Sequence, residues 1–122
     1  MEQAKLFGTK KIEGAAEAER LALYALGEFQ ARGLALAGRE LALDRLRGAL
    51  RRAAEDLGVE ELGDEASVAA FESLGARVRR VPPFVAKHPY RVTVGAELSQ
   101  RAREFYDEQA TKSAEGTAGV ED

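Results

Sequence analysis

The chain has no cysteine and no asparagine, a single histidine and a single methionine among 122 residues. Without cysteine there are no disulfides, no thiolate nucleophile and no Cys-based zinc site. One histidine, His88, leaves little material for catalysis. A triad or a metallohydrolase site needs a base, an orienting carboxylate, and a nucleophile or further ligands. His88 lies between Lys87 and Pro89, where a solvent-exposed loop position is the expected reading. Carboxylate pairs occur at Glu13/Glu17, Glu40/Asp44 and Asp107/Glu108, but no Glu-x-x-His accompanies them. The helical di-iron pattern is therefore absent, and the pairs read as solvated helix faces. The expectation is a non-enzymatic protein with no cofactor and no metal.

Long apolar runs are also missing. No window approaches 18 consecutive apolar residues, so no transmembrane helix is expected. The first residues, MEQAKLFGTKKIEG, are basic but lead into no apolar stretch of the secretory kind, which makes a cytoplasmic location the default. The Gly-Thr-Lys-Lys at 8–11 resembles half a phosphate loop. The full Gly-x-x-x-x-Gly-Lys-Ser/Thr spacing is lacking, and a solvated turn is expected there. The scarcity of Asn, Cys and Met suits a protein working hot, and a GC-rich genome produces the same bias.

What is abundant is alanine, 23 residues, with 14 leucines and only 8 aromatics. Hydrophobic residues make up 45% of the chain, which places it among globular proteins. Alanine buries little area per residue, so the core is thin, and self-association to a homo-oligomer would complete it. Arg outnumbers Lys 13 to 5, and the formal charge is −3, with no global bias toward nucleic acid or a membrane surface.

Periodicity supplies the architecture. Phe29, Leu36, Leu43, Leu50 and Leu57 stand seven apart, which at 100° per residue forms one stripe. The second apolar row of a coiled coil is incomplete. Taking the leucines as position d, Arg32 and Arg39 occupy one neighbouring row, and Gly33 and Glu40 the other. Gly33 and Gly38 predict a break between them, and a core helix accounts for the stripe better than a zipper. The expected elements are a helix over Gly14–Ala31 and a second from Leu34 or Arg39 to Leu57, stopped by Gly58. Its face through Glu40, Asp44, Arg47, Arg51 and Glu55 alternates in sign, as ion-paired helix surfaces do. A third helix follows, N-capped by Asp64 and stopped by Gly75.

Beyond Gly75 the chain changes character. Ala76–Val81 is β-branched and arginine-rich, and Pro82 and Pro83 prevent a helix from continuing. Tyr90–Val94 alternates as a strand does, with Tyr90, Val92 and Val94 on one face and Arg91 and Thr93 on the other. A final helix is expected from Ala96 to Thr111 and a flexible acidic tail over 112–122. Residues 1–13 read as a short strand or an arm. The predicted fold is a mostly helical α+β domain over 1–111: a helical hairpin, a short third helix, an antiparallel ribbon of two or three strands, and a C-terminal helix. Its expected core is Leu21, Leu26, Phe29, Leu36, Leu43, Leu46, Leu50, Leu57, Phe71, Leu74, Val92, Val94, Leu98 and Phe105.

One constellation points to binding. From Ser73 to Ala96 there is no acidic residue, while Arg77, Arg79, Arg80, Lys87 and Arg91 are interleaved with Phe84 and Tyr90. Guanidinium forks suit phosphates and aromatic rings suit stacked bases. The ribbon over 76–94 is therefore the candidate interface for a nucleic acid or another anionic partner. The alternatives are arginines paired with helix carboxylates or protecting a strand edge, and rings turned into the core. A self-associating module using apolar helix surface is the runner-up function.

Overall fold

The computed structural model describes residues 14–82, 84 and 89–121, with 113–121 as backbone alone. The expectations for residues 1–13, Lys87 and His88 lie outside the described residues. In chain order the elements are α1 (Gly14–Ala31), β1 (Glu40–Ala42), α2 (Leu43–Leu57), α3 (Asp64–Leu74), β2 (Arg77–Arg80), β3 (Tyr90–Thr93) and α4 (Ala96–Glu121). This is a mostly helical α+β fold with one antiparallel sheet of three strands, in the order β1-β3-β2. No described helix is long and apolar enough to cross a membrane.

Helix α1 is the hub, packing against α2, α3 and α4. Leu21, Ala22, Ala25, Leu26 and Phe29 recur at helical spacing and are all buried, so the stripe read from sequence is the stripe that packs. The other expected core residues are buried as well, except Leu57, Leu74 and Phe105, which are half-buried at its rim.

The heptad of leucines is not one helix. Phe29 belongs to α1, Leu36 to the connection after it, and only Leu43, Leu50 and Leu57 to α2. Gly33 and Gly38 take φ values of 85° and 74°, a left-handed backbone that L side chains adopt at a cost, and the chain turns at both. Between that turn and α2, Glu40–Ala42 pairs with β3 as a strand, where a helix beginning at Leu34 or Arg39 was expected. Glu, Leu and Ala all favour helix, and here that preference is overridden by the ladder bonds β3 offers. Leu36 nevertheless reaches the core from the connection.

Two further boundaries differ from expectation. Gly63, without a side-chain bond to the helix end, is the N-cap of α3. Asp64 is the first helical residue, and its carboxylate accepts a bond of 2.7 Å from Arg47 on α2. Helix α4 continues past Thr111 to Glu121, with no proline to interrupt it.

An ion cluster around the buried carboxylate of Glu28 ties α1 to α2. The carboxylate of Glu28 accepts Arg52 Nε at 2.7 Å, Arg52 Nη2 at 3.0 Å and Arg32 Nε at 2.6 Å. Burial pushes the Glu28 pKa up, and the two guanidinium groups outweigh it, leaving the carboxyl below its ordinary value of 4.5. A carboxylate lowered in this way stabilises the fold above its ordinary value. That contribution is lost as pH falls through the lower, folded value. Glu28→Gln is therefore expected to cost about 1–3 kcal/mol at pH 7. The variant and parent should converge in urea midpoint as pH falls well below 4.5. An equal gap at both pH values would show that the charge of Glu28 plays no part.

Candidate functional site

The pairing register decides which ribbon residues can act together. Across the sheet, Leu41, Val92 and Val78 stand in one row, and Tyr90 stands beside Arg80. Val92, Tyr90 and Leu41 are buried, so this is the face the helices cover. The opposite face carries the alternate rows: Glu40, Thr93 and Arg77 in one, Ala42, Arg91 and Arg79 in the next. All six are exposed or half-exposed, and among the described residues this face is open to solvent.

The seven residues expected to form one surface are thus divided. Arg77, Arg79 and Arg91 share the open face. Arg80 and Tyr90 belong to the covered side, at the edge near the start of α3. The Tyr90 ring is part of the hydrophobic core, and its hydroxyl donates to Glu65 Oε2 at 2.5 Å. That hydrogen bond, with burial, raises its pKa, against the lowering effect of Arg80. The Arg80 guanidinium donates to the Tyr90 hydroxyl, lies over its ring at 4.8 Å from the centroid, and stands 3.6 Å from Glu65. A ring held this way offers no platform to a base. Phe84, in the β2–β3 connection, does: it is 89% exposed.

On the open face one contact dominates. Arg79 Nε donates to Glu40 Oε2 at 2.9 Å and Arg79 Nη2 to Glu40 Oε1 at 2.8 Å, a two-pronged pair. Glu40 is on β1 and Arg79 on β2, so the pair passes over the central strand β3. The Arg79 hydrogen bonds hold the Glu40 carboxyl below its ordinary range, and Arg91 adds attraction. Arg91 itself is directly opposite Arg79, and Arg77 makes no ion pair among the described residues. The face therefore holds three guanidinium groups and one carboxylate.

Sequence reasoning missed Glu40, which read as one acidic position on a helix surface. The signal that could have found it is the Gly33–Gly38 break, which frees Arg39–Ala42 from the helix before it. Among the described residues no group of three or more His, Asp or Glu is arranged to hold a metal ion. Comparison of the chain with protein-family models, with curated proteins and with solved structures finds no match.

Proposed function

We propose that this chain is a non-enzymatic binding module whose open sheet face receives the phosphate backbone of a nucleic acid. The observation that carries the reading is the placement of Arg79 directly opposite Arg91, with Arg77 on the same face of the same edge strand. Like charges directly across a ladder destabilise a sheet. In the free protein one carboxylate, Glu40, offsets part of that repulsion, and a polyanion meeting the face would relieve the rest on binding. Arg77 and Arg79 are two residues apart on one strand, about 6.8 Å along it, a separation on the scale of successive phosphates in an extended strand. Phe84, in the connection after β2, is exposed and offers a stacking surface. Among the described residues no aromatic side chain lies on the open face itself, so the mode is phosphate-directed and tolerant of base sequence.

Self-association through apolar helix surface has less support. The large hydrophobic side chains exposed among the described residues are Leu34 and Phe84, and both lie in connections.

The test is the salt dependence of affinity for a labelled single-stranded oligonucleotide. The slope of log K against log[salt] is expected to flatten by about 1.4 when Arg77 and Arg91 are both replaced by Ala, at roughly 0.7 per phosphate contact. Phe84→Ala should weaken binding by about 1–3 kcal/mol with little change in slope. Arg80→Ala should leave the slope alone, since Arg80 is committed to Tyr90 and Glu65. Absence of binding at low salt, where charges are least screened, overturns the proposal.

A further inference from the structure

The geometry points to the Arg79 guanidinium as the anion seat of the open face and to Glu40 as its built-in competitor, a carboxylate standing where two oxygens of a phosphodiester would sit. This rests on the nucleic-acid reading above and names the residue that sets the affinity of that site. A phosphodiester offers two non-bridging oxygens, and a guanidinium edge receives two oxygens through parallel N–H donors. The Glu40 carboxylate already occupies Arg79 in that manner, through Nε and Nη2 at 2.9 and 2.8 Å. The seat is therefore formed and oriented before any ligand arrives.

The occupant is exposed enough to be displaced. The Arg79 and Glu40 side chains are 58% and 41% exposed, so the pair, though two-pronged, stays open to solvent, is screened by salt and can be reached by a competing anion. A displaced Glu40 has a second guanidinium nearby, since Arg91 attracts the same carboxylate. Incoming phosphate can thus exchange with Glu40 without leaving that charge alone on the face. The carboxylate also excludes weak anions: a single small anion must outcompete a tethered neighbour, while a polyanion contacting Arg77 and Arg91 as well does so readily.

The experiment measures anisotropy of a fluorescein-labelled oligothymidylate over a NaCl series. It compares the parent with Glu40→Gln, Glu40→Thr, Glu108→Gln, Arg79→Ala and the pair Glu40→Gln/Arg79→Ala. Glu108 is an exposed acid on α4, whose loss changes the net charge equally. Glu40→Thr keeps a strand-favouring residue, should Gln disturb β1. Both Glu40 variants are expected to bind about 3- to 10-fold tighter than the parent, with a salt slope steeper by roughly 0.7, one further phosphate contact. Glu108→Gln should change affinity less than about twofold, because its charge is remote and screened. In the Arg79→Ala background the gain from Glu40→Gln should shrink to that same size. A gain no larger than that of Glu108→Gln, or one that survives loss of Arg79, overturns the competitor role. Parent binding with the expected slope and no tightening in either Glu40 variant sinks the competitor alone. Absence of binding by every variant removes the nucleic-acid reading and this inference together.

Discussion

Replacing Gly27 with Ala is expected to destabilise the protein by about 3 kcal/mol, although the same change would strengthen an isolated α1. Gly27 lies where α1 meets α4. A β-carbon there would run into the carbonyl oxygen of Ala102 and the β-carbon of Tyr106, closer than real β-carbons approach any atom. Neither is the far end of a flexible side chain, so the clash is relieved only by moving one helix away from the other. That movement would open the edge-on contact of Tyr24 and Tyr106, whose rings are 4.9 Å apart. It would also strain the bond of 2.9 Å from the Tyr24 hydroxyl to Asp56 on α2. The overpacking cost falls at the upper end of its usual range because backbone is involved. A thermal midpoint lowered by roughly 10 °C and a weakened near-ultraviolet tyrosine signal are the expected readouts. A variant at least as stable as the parent would show that α1 and α4 are farther apart than the structure places them.

The second large effect concerns α2. Leu50→Ala is expected to cost about 2–5 kcal/mol, the transfer energy of the leucine together with the cavity it leaves. Leu50 is 2% exposed and belongs to the core on which α1 and α2 meet. Leu57, one heptad later, is half-buried at the end of the same helix, and Leu57→Ala should cost only about 1 kcal/mol. Urea midpoints of the two variants measure the difference. A dimeric zipper would instead be weakened by both changes, and its midpoint would depend on protein concentration. Equal losses with such a dependence would refute the placement of Leu50 in an intramolecular core.

Sequence by itself determined those features whose causes are local. Helix α1 runs from Gly14 to Ala31 as its apolar spacing requires, and α2 and α3 end at Leu57 and Leu74, each before a glycine. The alternation over Tyr90–Val94 is realised in the strand Tyr90–Thr93, with Tyr90, Val92 and Val94 on one face as read. In each case neighbours within one turn or one pleat carry the information.

Tertiary structure decided what depends on partners far away in the chain. Glu40–Ala42 carries no strand signal and is a strand because β3 has an edge to satisfy. The same pairing brings Glu40 to Arg79, 39 positions away, and turns a helix-surface acid into the partner of the basic face. Composition placed all the ribbon arginines together, but register divides them. Arg77, Arg79 and Arg91 face outward because burying Val78, Val92 and Leu41 turns the even positions of β2, Arg80 among them, toward the helices. Which side of a strand is inner is a property of what packs on it, and a charge run read along the chain does not contain it.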